Sequence, residues 1–120
     1  MIRGIGTDMV AVSRIAAILT RHGRAFVARV LGPDERKRMT TVDARALART
    51  FAAKEAVVKA MRRGLFDQPL RDIQILDNGA GRPRVSLSPE LASAAPRIHL
   101  DTDVRGDIAA AVAVVEEVAR

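Results

Sequence analysis

The chain has 120 residues, of which 48% are apolar and only three, all Phe, are aromatic. This length suits one domain with a modest core, which Val, Ile, Leu and Ala must fill. The absence of cysteine excludes disulfides, thiolate metal sites and cysteine nucleophiles. The net charge of +6 favours an anionic partner: a nucleic acid, a phosphorylated cofactor or an acidic protein. We see no signal peptide and no apolar run of membrane-spanning length, so we expect a cytoplasmic protein that does not bind membranes.

The first half of the chain predicts one strand followed by helices. The strand runs from Ile2 to Val12, and its glycines, Gly4 and Gly6, allow another backbone to approach closely. Four helical stretches follow. The first is capped by Ser13 and ends at Arg21, with Gly23 as the C′ residue, and a short one runs from Ala25 to Leu31. The third is opened by Pro33, and the fourth is a long helix from about Asp43 to Arg63 that stops at Gly64.

The second half predicts mostly strands. Its elements are a hairpin formed by Ile73 to Leu76 and Arg84 to Leu87, a helix from Pro89 to about Ala95, and two final strands near Arg97 to Asp101 and Ile108 to Glu116. Helices early and strands late indicate an α+β fold with an antiparallel sheet, in a single domain covering residues 1–120. The apolar last strand is suited to burial on both faces, within the subunit or between subunits.

A lysine lies on the apolar stripe of the long central helix. At 100° per residue the stripe comprises Leu47, Phe51, Val58, Met61 and Leu65. Lys54 lies in its middle, with Glu55, Lys59 and Arg62 along its edge. An unpaired buried lysine is costly, so Lys54 needs a partner or a route to water for its long side chain. This helix is therefore the first candidate for chemistry.

Two acidic residues are candidates for a magnesium site. Asp8 ends an apolar strand, and taken alone it is better interpreted as a cap of the following turn. Glu55 and Lys59 are four residues apart in the order that favours an exposed ion pair. The pair Asp8 and Glu55 would also suit Mg²⁺, which prefers one or two carboxylates completed by water and phosphate oxygens.

Basic residues recur on the first helix. Arg14 and Arg21 share one helix face and Arg24 lies just beyond, which indicates either a solvated face or a docking strip for an acidic partner. The histidines, His22 and His99, are isolated, and such residues are more often structural than catalytic.

Three motifs in order resemble those of the holo-[acyl-carrier-protein] synthases, the small bacterial 4′-phosphopantetheinyl transferases. They are Gly4-Ile-Gly-Thr-Asp8 with its continuation to Ile15, Phe51-Ala-Ala-Lys-Glu-Ala-Val-Val-Lys-Ala60, and Gly81-Arg-Pro83 ahead of a strand. The first two are specific, the third is weak alone, and the resemblance covers nearly the whole chain. Two departures stand out: Thr50 occupies a place where the family often has Arg, and the segment from His99 to Asp103 lacks a family Ser.

The resemblance implies transfer of 4′-phosphopantetheine from coenzyme A to a serine of apo acyl carrier protein, with Mg²⁺ as cofactor. Asp8 and Glu55 match the magnesium ligands, and Lys59 is a candidate phosphate contact or proton relay. The catalytic set is then Asp8, Glu55 and Lys59, with either Glu55 or a metal-bound water to deprotonate the serine. Coenzyme A contacts are expected from Lys54, Lys59, Arg49, Gly64, Gly81, Pro83 and His99.

The resemblance also implies a homotrimer with its coenzyme A sites between subunits. Arg14, Arg21 and Arg24 would dock the acidic carrier protein, which accounts for the basic charge without a nucleic-acid partner. Two alternatives stay open at this point. One is a basic nucleic-acid-binding module, which charge alone supports, and the other is a relative that binds coenzyme A or carrier protein without turnover.

Overall fold

The computed structural model describes residues 1–39, 41–62, 69–77, 81–92 and 97–117. In chain order the elements are β1 (Ile2–Ala11), α1 (Val12–Val30), α2 (Pro33–Arg38), α3 (Ala44–Ala60), a 3₁₀ turn (Leu70–Asp72), β2 (Ile73–Asp77), β3 (Pro83–Leu87), α4 (Pro89–Ala92), β4 (Arg97–Arg105) and β5 (Ile108–Glu116). An antiparallel sheet has the order β1-β5-β4, and β2 pairs with β3 in a separate hairpin. The predicted α+β fold with an antiparallel sheet is confirmed.

Helix α3 forms the centre of the core. Nine of its residues are buried, and it packs on the sheet face to which β5 contributes Ala109, Ala111, Ala113 and Val115. On its other side α1 covers it, with the rings of Phe26 and Phe51 6.0 Å apart between centroids. The helix is short of large side chains because many of its buried positions are Ala, and small residues let the sheet come close.

Two glycines of β1 bring its backbone against that of α3. A Cβ atom on Gly4 would lie 1.9 Å from the carbonyl oxygen of Ala60, and one on Gly6 would lie 2.0 Å from that of Ala56. No side chain fits in either place. The close approach predicted from the glycines is therefore present, and it sets the distance between the strand that carries Asp8 and the helix that carries Glu55.

The start of α1 differs from the prediction. Ser13 is not its N-cap, since the helix begins at Val12 and Ala11 makes no side-chain cap. Asp107, in the turn between β4 and β5, caps the helix instead: one carboxylate oxygen accepts from the Ser13 amide at 2.8 Å and the other from the Ser13 hydroxyl at 2.7 Å. These hydrogen bonds lower the pKa of Asp107. The predicted break near Gly23 is present as a kink at His22, across which the helix continues.

The central helix is shorter than predicted. It begins after Asp43, whose side chain accepts from the Ala46 amide, and it ends at Ala60 rather than Arg63. Arg62 then takes a left-handed conformation with φ 58°, which ends the helical path. The predicted stop at Gly64 and the stripe residue Leu65 lie outside the described residues, as does the predicted last part of the helix at α4.

One face of the sheet carries apolar side chains that the described chain does not cover. Alternate residues of β5 point away from α3, and Val112 keeps 39% of its surface exposed. On the neighbouring strand Ile5 and Met9 are 62% and 68% exposed. The sequence predicted burial of β5 on both faces, within the subunit or between subunits. The described chain buries only the face that packs on α3. None of its helices is long and apolar enough to span a bilayer.

Replacing Gly6 with Ala tests the backbone contact. The added Cβ would overlap the Ala56 carbonyl, so we expect a loss of about 3 kcal/mol or more in the free energy of unfolding, at the upper end for overpacked cores. Gly23→Ala is the matched control, because a Cβ there meets nothing within 4 Å and the substitution in a helix should gain about 0.5–1 kcal/mol. Urea denaturation measures both, and equal stabilities of the two variants would contradict the contact.

Candidate active site

The contact between β1 and α3 brings Asp8 to Lys59. The ammonium of Lys59 lies 3.1 Å from Asp8 Oδ1 and donates to the carbonyl of Thr7 at 3.0 Å. Asp8 lies one alternation beyond Gly6 on the strand, and Lys59 lies just before Ala60 on the helix, so both follow from the glycine crossing. Two residues far apart in sequence, predicted to act together, are therefore in contact.

Glu55 is close enough to Asp8 and Lys59 for their charges to act on its carboxyl. It lies one turn before Lys59 on α3 and is partly buried. Burial raises the pKa of the Glu55 carboxyl, the negative charge of Asp8 raises that pKa further, and the positive charge of Lys59 opposes the rise. The ion pair that Lys59 forms is with Asp8 rather than with Glu55, so the simple intrahelical pair expected from the spacing is not the one seen.

Two of these residues, Asp8 and Lys59, border an open cleft at the sheet. They line it together with Asp101 and Asp103 of β4 and with residues 110–112 of β5. The Lys59 side chain keeps 45% of its surface exposed, against 17% for that of Asp8. A ligand entering the cleft would therefore meet the ammonium first and the carboxylate behind it.

The donor set fits a hard divalent cation. Asp8 and Glu55 supply carboxylate oxygens whose mutual repulsion a cation would relieve, and Mg²⁺ commonly takes one or two carboxylates and fills its other positions with water and phosphate oxygens. The described residues contain no cluster of three or more His, Asp, Glu or Cys side chains placed to hold a metal, so an all-protein cage is not formed there. The two acids match a magnesium site in which the protein supplies one or two carboxylates and leaves the other positions of the ion to water and phosphate oxygens.

Lys54 is placed differently from its neighbours. Its side chain has no exposed surface, and its ammonium lies 2.6 Å from Glu35 Oε1. It also donates to the carbonyls of Val30 and Leu70. Burial lowers the pKa of Lys54, while the negative charge of Glu35 and the hydrogen bond to it oppose the shift. Lys54 was predicted to contact coenzyme A, but its three donors are all engaged inside the fold, so the structure supports an internal role instead.

A second cavity, of about 250 Å³, is lined by two more of the residues predicted to contact coenzyme A. Arg49 and Pro83 line it with Thr50 and Thr102, and the Arg49 side chain donates to the Thr102 hydroxyl at 2.6 Å. Gly81, at the turn before β3, has φ 79°, a conformation that favours glycine. Arg49 and Pro83 thus share one cavity, and Thr102 lines both this cavity and the cleft that Asp8 and Lys59 line.

The remaining predicted residues lie elsewhere. His99 points to the outer side of β4, where its Nε2 lies 3.2 Å from Glu116 Oε1, and this contact lowers the pKa of Glu116. Gly64 lies outside the described residues. Arg14, Arg21 and Arg24 are all exposed on α1 and form no ion pair with a residue of the described chain. The strip they form is open to a partner.

Sequence reasoning missed three residues of this structure. Glu35, in the first turn of α2, was not predicted to pair with Lys54, although an unexplained buried lysine indicates that a carboxylate must lie near it. Thr102, the partner of Arg49, had no signal beyond the strand pattern. Asp107 gave no sign of capping a helix that begins 95 residues earlier, since such a contact depends on the sheet register.

Comparison with known proteins agrees with the three motifs. The sequence pattern of the 4′-phosphopantetheinyl transferase superfamily matches residues 4–113. The holo-[acyl-carrier-protein] synthase of Solidesulfovibrio magneticus is 42% identical, over 97% of this chain and 99% of its own length.

Solved structures agree as well. The crystal structure of holo-[acyl-carrier-protein] synthase from Neisseria meningitidis superposes with a TM-score of 0.87 at 33% identity, covering 97% of this chain and 99% of that one. The Helicobacter pylori enzyme in complex with coenzyme A superposes with a TM-score of 0.85 at 29% identity, covering 93% and 99%. Motifs, near-complete coverage and fold coincide: the chain belongs to the holo-[acyl-carrier-protein] synthase family of the 4′-phosphopantetheinyl transferase superfamily.

Proposed function

We propose that this protein transfers 4′-phosphopantetheine from coenzyme A to a serine hydroxyl of an apo acyl carrier protein, and its membership of the holo-[acyl-carrier-protein] synthase family supports this. The observation that carries the proposal is the meeting of Asp8, Glu55 and Lys59 at the glycine crossing of β1 and α3. Asp8 and the exposed Lys59 ammonium at one cleft, with the Glu55 carboxylate close enough to interact with both, suit a substrate that carries a pyrophosphate. The reaction serves fatty acid or polyketide biosynthesis in the cytoplasm.

The reaction is a phosphoryl transfer. The serine oxygen forms a bond to the phosphorus that bears the pantetheine arm, the bond from that phosphorus to the bridging oxygen breaks, and adenosine 3′,5′-bisphosphate leaves with the bridging oxygen. The serine proton passes to the Glu55 carboxylate or to water. Little covalent chemistry falls to the protein, so positioning and charge stabilisation dominate.

Each residue of the group has a task in that reaction. Asp8 and Glu55 would hold Mg²⁺, which when bound neutralises charge on the pyrophosphate. Lys59, held by Asp8 and the Thr7 carbonyl, would meet the phosphate that departs with its ammonium. Burial and the charge of Asp8 raise the pKa of Glu55, and a cation held by the two acids would oppose that rise, so the serine proton passes either to Glu55 or to water.

The coenzyme A site is proposed to lie between subunits of a homotrimer. The cleft of Asp8 and Lys59 is open to solvent, so a neighbouring subunit would cover the other side of a ligand bound there. Thr102 lines both this cleft and the cavity of Arg49 and Pro83, so one extended ligand would use both. The exposed apolar face formed by Ile5, Met9 and Val112 supports the association, because such a patch is suited to burial against another copy. Gly64 and His99 remain proposed coenzyme A contacts.

The proposed activity is tested by mass spectrometry of several apo carrier proteins incubated with coenzyme A, Mg²⁺ and the protein. We expect a mass gain of one phosphopantetheine arm, lost on chelation of Mg²⁺. Asp8→Ala and Glu55→Ala should each lower kcat about 100-fold or more, since a bound metal ion supplies several kcal/mol of transition-state stabilisation. Lys37→Ala, at an exposed position on α2, is the matched control and should retain full activity.

Binding of coenzyme A without any mass gain would refute turnover, and salt-sensitive binding of DNA or RNA by an inactive protein would favour the nucleic-acid alternative.

The carrier protein is proposed to dock on the arginines of α1. Charge reversal of Arg14 or Arg21 should raise KM for the carrier protein while KM for coenzyme A stays unchanged, because electrostatic attraction acts on the encounter with the acidic partner. The rise should shrink at high salt, which screens exposed charges. Steady-state kinetics at two salt concentrations measures it, with Lys37→Glu as the control for net charge. An equal effect of all three substitutions would contradict a docking strip.

The homotrimer is tested at the exposed apolar face. Val112→Glu places a charge in the proposed interface, so we expect the mass measured by light scattering to fall from that of three chains to that of one. Activity should fall with it, because the coenzyme A site would be divided. Thr20→Glu, on the exposed side of α1, should leave the mass unchanged. A wild-type protein that runs as a monomer while fully active would overturn the shared site.

A further inference from the structure

Lys54 is fully buried next to the candidate metal ligand Glu55, yet it faces away from the cleft. A lysine ammonium has three donors, and here they are directed at Glu35 Oε1, at the carbonyl of Val30 and at the carbonyl of Leu70. None remains for a phosphate or for the carrier protein. Any influence of Lys54 on the reaction must therefore pass through the residues it holds.

Glu35 extends the set of contacts that starts at Lys54. Its Oε1 also accepts from the Gly32 amide at 2.8 Å, and its Oε2 accepts from the Ile75 amide at 2.9 Å. The side chain of Glu35 is 2% exposed. Two side chains thus bind four backbone groups, in the end of α1, the turn before α2, the 3₁₀ turn and strand β2.

This arrangement fixes the rotation of α3. At 3.6 residues per turn, Lys54 and Ala56 lie roughly 200° apart around the helix, with Glu55 roughly midway between them. Lys54 is held by Glu35 on one side, and Ala56 is pressed against Gly6 of β1 on the other. A turn of the helix about its axis would break one contact or the other, so Glu55 has one direction open to it, towards Asp8.

The Glu35–Lys54 pair also supports the second cavity through Glu35. Glu35 lines this cavity together with Ile75, Arg49 and Pro83. The hydrogen bond from the Ile75 amide to Glu35 fixes β2, which pairs with the strand that begins at Pro83. A change at the Glu35–Lys54 pair is therefore transmitted to both halves of the proposed coenzyme A site.

We propose that Glu35 and Lys54 are positioning residues of the transferase, which aim Glu55 at Asp8 and hold the β2–β3 hairpin without touching substrate. The proposal rests on the proposed function. It differs from a role in stability alone, because a buried ion pair contributes little to stability compared with neutral groups that fit the same space. What the pair supplies, on this view, is a fixed geometry around Glu55.

The experiment compares Lys54→Met with the double variant Lys54→Met/Glu35→Gln. The single variant leaves a buried carboxylate without its partner, so its melting temperature should fall steeply. In the double variant no charge is buried and the Gln carbonyl oxygen can still accept from the Gly32 or the Ile75 amide, so most of the lost melting temperature should return. We nevertheless expect kcat of the stable double variant to stay about 10–100-fold below that of the wild type, because a misplacement of about 1 Å in a reacting group can cost this much.

A binding measurement separates positioning from stability. Mn²⁺, used as a probe in place of Mg²⁺ and followed by water proton relaxation without coenzyme A, should bind the double variant about 10–100-fold more weakly. KM for the carrier protein should not change. Leu47→Ala is the control: it empties a fully buried position two turns earlier on the same face of α3 but removes no polar contact, so it should lower the melting temperature and leave Mn²⁺ affinity intact.

Each outcome decides the question. Wild-type kcat and Mn²⁺ affinity in the double variant would overturn the positioning role while leaving the proposed transferase activity standing. Equal losses in Leu47→Ala would also overturn it, because activity would then follow stability. If the double variant fails to fold, Glu35→Gln alone carries the same expectation in smaller degree. A wild-type protein without transfer activity would overturn both proposals.

Discussion

The backbone contact between β1 and α3 is the constraint on which the other features of this protein depend. Gly4 and Gly6 remove the side chains that would hold the strand away from the helix, and the Ala56 and Ala60 carbonyls occupy that space. Because a strand and a helix have different repeats, such a crossing is short, and only the residues next to it can meet. Asp8 and Lys59 are those residues. Asp8 and Lys59 therefore come into contact because Gly4 and Gly6 carry no side chains.

The crossing holds one side of α3 against β1, and the buried charge pair holds another side of the helix, so the two together fix its rotation. Taking Lys54 and Glu35 out of water is expensive, and breaking such a pair by removing one partner typically costs about 3–5 kcal/mol. All the donors of Lys54 are used and both oxygens of Glu35 accept, so the arrangement tolerates little movement. An apolar contact of the same size would hold the helix less strictly, since packed side chains can slide where directed hydrogen bonds cannot.

Much of the fold could be predicted because it is specified by local patterns. The apolar run of β5 and the apolar start of β1 predicted strands with almost the observed bounds, and the helical pattern placed the start of α3 at about Asp43. The end of α3 was predicted too late because Met61 and Arg62 are good helix formers, and only the left-handed turn at Arg62 shows where it stops. The cap by Asp107 and the partner of Lys54 could not be predicted, since both join segments whose closeness depends on the complete fold.

The electrostatics of the site follow from the same geometry. Acidic groups are in the minority in this chain, yet Asp8 and Glu55 are close enough for one to raise the pKa of the other. Two neighbouring carboxylates that repel each other are stabilised by whatever cation reaches them, and Lys59 supplies only part of that charge because it is half exposed. A further positive charge would therefore be stabilised beside these two carboxylates. On the proposed function, a metal ion bound by both the carboxylates and the substrate phosphates would bind more strongly with substrate than without it, which couples metal binding to substrate binding in either order.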